Sequence, residues 1–462
     1  MWPATALALN LERGPYLQMG TSTSMIVRWR TDTASESHIS FGVCPDATSD
    51  SITLPGPTTE HEIEIFGLDP FTQYCYAVGT TSLTLAGGDT DHYFVTSPVP
   101  GTRQPIRIWV VGDSGLPGAI VQSVRDAYLD FAGSRRADAW LMLGDNAYET
   151  GTDAEYTTAV FQTFTEILRN TVVWPAPGNH SFGASDSPTQ SGPYYEAFTV
   201  PTLAEAGGVA SGTEAYYSYD YGNVHLVSLD SHDTSRTAPS NPTTNICPPL
   251  EGGAMYQWLC ADLAATDKDW IIVYWHHPPY TKGSHDSDTE SQLVEMRERF
   301  VPVLEHFGVD LQLAGHSHSY ERSMLIDGHY GQSSTFNSLS HAVDDGDGDP
   351  SGDGSYQKFG GPHGGTVYSV VGSSAKSGGG GLDHPVMVIS LSDNGSMVVD
   401  IDLDRLDARW IESNGAIRDH FQIVKPLIST TTTTSSTSTT TSTSSTTTST
   451  SLPVTTTSTS AT

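Results

Sequence analysis

Five short apolar runs break off, one after another, into turns loaded with hydrogen-bonding side chains. The clearest is Ala139 to Leu143, closed by Gly144 and followed at once by Asp145, with Tyr148 a little further on. Four to eight apolar residues ended by a turn signal read as a strand of an α/β sheet, buried on both faces. Open α/β sheets bind their ligands at the carboxyl ends of such strands. A lone Gly-Asp would read equally well as an Asp-stabilised turn. The other runs remove that symmetry. Arg107 to Val111 leads into Gly112-Asp113-Ser114-Gly115, and Val172 to Ala176 into Gly178-Asn179-His180. Trp270 to Trp275 leads into His276-His277-Pro278-Pro279, and Val309 to Ala314 into Gly315-His316-Ser317-His318.

Helical patterns lie between these runs. Ile120, Val124, Tyr128 and Phe131 fall at helical spacing, and Tyr156, Val160, Phe164 and Leu168 form one face. Met255, Trp258, Leu259 and Leu263 mark a helix that carries Cys260, and a long helix spans roughly 290–306. Strands alternating with helices predict an α/β domain over 106–426. Tyr216 to Asp230 shows strand alternation without a helix. Beyond Arg322 the chain reads as Gly-rich loop with a few strands, Val367 to Val371 and Val386 to Leu391 among them.

Upstream, residues 10–97 read as an all-β sandwich. Met25, Val27 and Trp29 alternate with Ile26, Arg28 and Arg30, and Ile63 and Ile65 with Glu62 and Glu64. Pro98 to Pro105 is the linker. From Ser429 to Thr462 almost every residue is Thr or Ser. Such a stretch cannot bury apolar surface, and it reads as a disordered, O-glycosylatable tail.

The charge balance, 21 Lys+Arg against 53 Asp+Glu or −32 net, argues against nucleic acid or an anionic membrane as partner. An acidic enzyme for an anionic substrate needs a local positive charge, which a metal centre supplies. No run approaches the roughly 20 apolar residues of a membrane span. The opening MWPATALALNLERG lacks the basic and apolar regions of an intact signal peptide. Cys44 and Cys75 lie in one segment, Cys247 and Cys260 in another. Two local disulfides in a secreted or cell-surface protein fit that distribution, with four buried thiols as the competing reading.

Set side by side, the strand ends offer Asp113, Asp145, Tyr148, Asn179, His276, His316 and His318. Hard oxygens and imidazoles without a thiolate suit iron, manganese or zinc. Seven donors are too many for one ion and fit two ions sharing a bridging carboxylate. A pair of ions forms the clamp used for in-line displacement at phosphorus.

The succession GDSG, GDNAY, GNH, VYWH, GHSH resembles the metallophosphoesterase family, and Tyr148 is similar to the tyrosine of its purple acid phosphatases. LDPFTQYCYAV at 68–78 resembles the tyrosine-bearing strand of fibronectin type III domains, which that branch carries at its amino terminus. The resemblance implies a four-layer α/β/β/α sandwich preceded by the all-β, fibronectin-like sandwich. It implies Fe(III) on Asp113, Tyr148 and His318, a bridging Asp145, and Zn, Mn or Fe(II) on Asn179, His276 and His316. His180 would bind phosphate or protonate the leaving group. His285 is similar to a substrate-loop histidine of the plant enzymes, a solvated side chain being the plain alternative. His277 would lie against a ligand without being one, and Arg322 would pack beneath the site.

The implied activity is hydrolysis of phosphate monoesters, small molecules, by a metal-bound hydroxide. A phosphodiesterase or nucleotide pyrophosphatase on the same two ions is the alternative, and a secreted adhesion module with a degenerate site the remote one. Two departures stand out. Ser181 occupies a position where the family usually has an acidic residue. The loop at 344–354, DDGDGDPSGDG, could hold calcium but lacks the closing glutamate of a calcium loop.

Overall fold

The computed structural model describes residues 8–425; the amino-terminal residues 1–7 and the Thr/Ser tail lie outside the described residues. Six strands build the amino-terminal sandwich: β1 (Leu11–Gln18), β2 (Ser24–Val43), β3 (Asp50–Phe66), β4 (Gln73–Thr80), β5 (Leu83–Gly87) and β6 (Tyr93–Val95). Met25, Val27 and Trp29 are buried as the alternation predicts. The opposite face of β2 departs from it, because Ile26 and Arg28 are buried too. Arg28 donates to the Glu196 carbonyl and to Thr199, so the face expected to meet solvent is covered by the 193–199 segment.

Strands β7 (Ile106–Val111), β8 (Ala139–Leu143) and β9 (Val172–Ala176) run parallel side by side. An antiparallel meander, Gly395–Asp402, Arg405–Glu412 and Ile417–Val424, extends this sheet on the β7 side. The sequence pattern there reads as loop with sparse strands, since each meander strand mixes charge into its pattern. On the other side β9 meets β1 through Leu17 opposite Val172, so the sandwich and this sheet are one hydrogen-bonded surface. The second sheet begins with the hairpin β10 (Tyr217–Tyr221) and β11 (Val224–Ser228). It continues in parallel through β12 (Trp270–Trp275), β13 (Leu311–Ala314) and Val367–Val371. It ends in antiparallel β14 (Tyr320–Ser323) and Met387–Leu391.

Side-chain parity sorts the layers. Ile106, Ile108, Val110, Leu141 and Trp174 face Leu226, Ile272, Tyr274 and Leu313 across the middle of the molecule. The alternate residues Trp109, Val111, Trp140 and Met142 pack outward against helix Ala119–Ala132 and the 153–168 helical segment. Val227, Ile271, Val273 and Trp275 do the same against helix Ala254–Ala265 and the 291–306 segment. The result is a four-layer α/β/β/α arrangement, each buried aliphatic or aromatic side chain contributing about 1.5–3 kcal/mol.

Two helical details differ from the sequence pattern. Helix Ala119–Ala132 buries Val121, Val124, Ala127 and Tyr128, while Ile120 is exposed, so the inner face is rotated by about one residue. Tyr156, Val160, Phe164 and Leu168 are all buried, although four-residue steps outrun a 3.6-residue turn. A π-helical stretch, Thr157–Gln162, widens the turn and keeps them aligned.

Disulfides join Cys44 to Cys75 and Cys247 to Cys260. No helix among the described residues is long and apolar enough to cross a membrane. In the acidic loop, Asp344 accepts from Gly346 N–H, Asp347 from Asp349 N–H, and Asp349 from Ser351 N–H. These carboxylates cap their own backbone, and no calcium-type group of three gathers there among the described residues.

Candidate metal centre

The parallel strands β7, β8, β9, β12 and β13 deliver their carboxyl ends to one edge, and the expected side chains meet there. Asp113, Asp145 and His316 all adopt the left-handed backbone region, at φ 54, 51 and 66. Non-glycine residues rarely sit there, and such strain of about 1–3 kcal/mol each persists where the surroundings hold it. Gly144 shows why glycine precedes Asp145: its φ is +91, and a Cβ would lie 2.5 Å from His276 Nδ1. At Gly178 a Cβ would lie 2.2 Å from Asp145 Oδ1.

Hydrogen bonds at the back of each ring decide which nitrogen faces inward. A carbonyl only accepts, so His276 Nδ1, 2.8 Å from the Leu143 carbonyl, carries hydrogen and aims Nε2 at the site. His316 gives its Nε2 hydrogen to Glu290 Oε2 at 3.2 Å, which leaves the Nδ1 lone pair inward. Asn179 Oδ1 lies 3.0 Å from His276 Nε2 and 3.1 Å from His316 Nδ1, and those two nitrogens are 3.3 Å apart. Asp145 Oδ2 is 3.3 Å from the same His276 nitrogen.

These spacings match the edges of a coordination shell with metal–ligand bonds of about 2.0–2.2 Å. Three acceptor lone pairs facing one another repel unless a positive charge lies between them. Burial would lower the His276 pKa, yet the neighbouring Asp145 outweighs it and pushes the value up to about 9. Without metal, a proton on His276 meets the demand that a cation would meet with metal bound.

The second half of the centre lies around Asp113. Its Oδ1 accepts from the Tyr148 hydroxyl at 2.9 Å and stands 3.6 Å from His318 Nε2, while Oδ2 accepts from His316 N–H at 2.7 Å. Burial raises Asp113 to about 7. Burial also raises Asp145, but the His276 charge prevails and holds it well below the usual carboxylate range. Burial, then the charges of Asp113 and Asp145, drive the Tyr148 phenol far above its ordinary value. Only a strong cation beside that oxygen could ionise it. Burial holds His316 down near 3 and His318 near 4, so both imidazoles are neutral donors. The donor set therefore fits metal binding at this edge, with Asp113, Asp145 and His276 close enough together to share an ion.

His180 donates Nδ1–H to the Glu149 carbonyl at 2.6 Å, and its Nε2 stands 3.9 Å from Asp145 Oδ2. Its ring packs on Tyr148 at 4.5 Å between centroids. His285, expected either over the site or solvated, lies over His316 at 3.7 Å and donates Nδ1–H to Glu290 at 2.9 Å. His277 is buried, tied to Ser231 at 2.8 Å, with its ring 4.4 Å from that of His316. Arg322 grips Asp419 with two hydrogen bonds of 2.6 and 2.9 Å in the core. Ser181 is buried and bonds Tyr156 at 3.2 Å.

Three participants escaped the sequence reading. Glu290 joins two site histidines, Ser231 holds His277, and the exposed Lys376 adds to the burial that lowers the His318 pKa. Glu290 begins a helix, Ser231 leaves the β10–β11 hairpin and Lys376 lies in the loop after Val367–Val371, so the five strand ends flagged none of them.

Residues 106–320 match the calcineurin-like phosphoesterase family and residues 13–97 the purple acid phosphatase N-terminal domain. An uncharacterized protein of Mycobacterium tuberculosis is 27% identical over 350 residues, 69% of this chain and 63% of that protein. Purple acid phosphatase 23 of Arabidopsis thaliana is 29% identical over 295 residues, 58% of each chain. The chain thus spans less than two thirds of either relative. Among solved structures, a purple acid phosphatase from yellow lupin (Lupinus luteus) seeds aligns with TM-score 0.66 at 17% identity, over 89% of this chain and 74% of the other. The structure of PhoD aligns with TM-score 0.61 at 13% identity, over 91% and 92%. The shared fold is the four-layer phosphoesterase sandwich; residues 106–320 belong to the calcineurin-like phosphoesterases and residues 13–97 to the purple acid phosphatase N-terminal domain family.

Proposed function

We propose that this chain hydrolyses phosphoric esters, phosphate monoesters in particular, at a dinuclear metal centre held by Asp113, Asp145, Tyr148, Asn179, His276, His316 and His318. The observation that carries the proposal is the triangle of inward lone pairs on Asn179, His276 and His316, closed by Asp145. Fe(III) on the Asp113–Tyr148–His318 side and Zn, Mn or Fe(II) on the other would supply Lewis acidity towards water and a phosphoryl oxygen.

The protein's own groups do the rest. Asp145 and Asp113 are fixed by backbone N–H donors from His180 and His316, at 2.9 and 2.7 Å, so neither carboxylate must reorganise. His180 is locked at Nδ1, which leaves Nε2 to bind a phosphoryl oxygen or hand a proton to the leaving alcohol. His285, held by Glu290, offers Nε2 as a second contact for the ester. Lys376 adds a positive charge at the rim of a molecule that is otherwise strongly anionic. The two disulfides support a secreted or cell-surface setting.

The test is turnover of p-nitrophenyl phosphate against bis(p-nitrophenyl) phosphate, with metal analysis of the same preparation. Faster monoester hydrolysis with two metals per chain, abolished together with metal occupancy by Asp145→Ala, is expected. Faster diester turnover would transfer the chain to the phosphodiesterases, and full activity of Asp145→Ala would overturn the site assignment.

A further inference from the structure

We propose that Glu305, Asp327 and His363 form a second metal site, separate from the dinuclear centre, which takes one divalent transition-metal cation of the zinc type. The three residues come from different parts of the second sheet's flank. Glu305 lies in the last turn of helix Val301–His306, Asp327 follows strand Leu325–Ile326, and His363 lies in the Gly-rich 359–365 loop. One donor atom from each lies within 4.8 Å of the others. His363 Nδ1 is 3.0 and 3.2 Å from the two Asp327 oxygens, the spacing of neighbouring donors on one ion. The His306 ring, 6.4 Å from the His363 ring, is the next imidazole available. None of these residues belongs to the dinuclear centre.

The surroundings of Glu305 independently favour a cation. Its carboxyl group is buried and accepts from Gly328 N–H at 2.8 Å, the Tyr330 hydroxyl at 2.6 Å and the Tyr368 hydroxyl at 3.2 Å. Three donors suit an ionised carboxylate, which can accept up to about four. No Lys, Arg or His nitrogen forms an ion pair with it among the described residues, and the charge bearing on it most is Asp327's, which is also negative. A buried carboxylate beside a second carboxylate is costly unless a positive charge is shared between them. Burial, with Asp327 adding to it, accordingly pushes Glu305 up to about 8.

His363 supplies the neutral donor. It is half exposed, sits at φ 59 between Pro362 and Gly364, and anchors its own N–H on the Glu305 carbonyl at 2.8 Å. Two carboxylates and an imidazole, with no thiolate, suit zinc, water completing the shell on the exposed side.

The experiment uses the full chain with its dinuclear centre loaded. Wild type, His363→Ala and Asp327→Asn are equilibrated with Zn²⁺ alone, separated from free metal, and analysed for metal per chain and for Tm. Wild type should hold one zinc more than either variant and gain Tm on zinc addition, while the variants gain none and keep wild-type hydrolysis. Both substitutions are at accessible positions and leave the core untouched, and Asp327→Asn conserves shape. Equal zinc content and equal Tm gain in wild type and both variants would overturn the proposal. So would a wild-type protein that takes up no zinc beyond its two resident metals.

Discussion

Replacing Glu290 tests whether the centre depends on the hydrogen bonds behind its ligands. Its carboxylate accepts from His316 at 3.2 Å, from His285 at 2.9 Å to each oxygen, and from Asp286 N–H at 3.1 Å. Burial opposes its ionisation, but the His316 hydrogen bond outweighs it and holds the pKa near 2. A carboxylate whose folded value is depressed contributes fully above its ordinary value of 4.5 and loses that contribution only as pH falls towards 2. The tie to both histidines therefore persists under acid assay conditions.

Glutamine cannot reproduce it. Its amide has one oxygen; held at the Oε1 position by Asp286 N–H and His285, it leaves the NH₂ against His316, which must move its hydrogen to the opposite ring nitrogen. On His316 that hydrogen would cap the inward Nδ1 lone pair. Loss of such a support costs 10–100-fold in metal affinity, about 1.4–2.8 kcal/mol. Glu290→Gln, which can retain one partner, should fall near tenfold, and Glu290→Ala, which retains neither, near a hundredfold. Chelator titration with metal analysis measures this directly. The visible band should survive at chelator concentrations that strip the divalent ion, since Tyr148 lies on the other side. Both variants holding two metals at the wild-type chelator midpoint would refute the reasoning.

Tyr148→Phe should abolish a visible charge-transfer band while the fold persists, because the ring still packs on His180 at 4.5 Å; a visible spectrum decides it. In metal-free protein the lost hydrogen bond to Asp113 should cost about 1 kcal/mol, read as a shift in denaturant midpoint. Gly144→Ala forces a Cβ to 2.5 Å from His276 Nδ1 at φ +91 and should lower both metal content and stability, by about 1–3 kcal/mol or more. In metal-free protein, Asp113 is raised from 3.8 to about 7 and His276 from 6.5 to about 9. Raised folded values contribute stability at low pH that is lost as pH climbs through them. Below about pH 6.5 the depressed His316 and His318 act in the opposite sense, so the apo Tm should fall between about pH 6.5 and 9, a decline that metal lessens; calorimetry of chelated and loaded protein checks the sign.

The strand ends were legible because burial on both faces makes β7, β8, β9, β12 and β13 unbroken apolar runs. Polar residues immediately after such a run have few places to go except the shared edge, which is why Asp113, Asp145, Asn179, His276 and His316 could be named from order alone. Glu290 and Ser231 lay hidden because they reach the site across space from a helix start and a hairpin exit. Ile120 misled because an amphipathic phase read from four positions is uncertain by a residue. The meander at 395–424 was missed for another reason. Its strands carry Asp400, paired across strands with Arg107 at 2.7 Å and Arg409 at 3.8 Å, and Asp407, which Arg409 reaches along its own strand at 2.5 Å. Cross-strand charge of that kind looks like loop when each strand is read alone.

The seam at β1 and β9 bears on how this protein could be divided. Leu17 opposite Val172 is reinforced by Arg13 and Arg30, both on Asp153, by Gln18 accepting from Thr199 N–H, and by Tyr76 donating to the Arg169 carbonyl. A fragment begun after Pro105 would bare the flank of β9 and strand the Asp153 carboxylate without either guanidinium. An open strand flank invites pairing with another copy. The excised catalytic half should therefore be prone to self-association, and the intact chain should melt in one step.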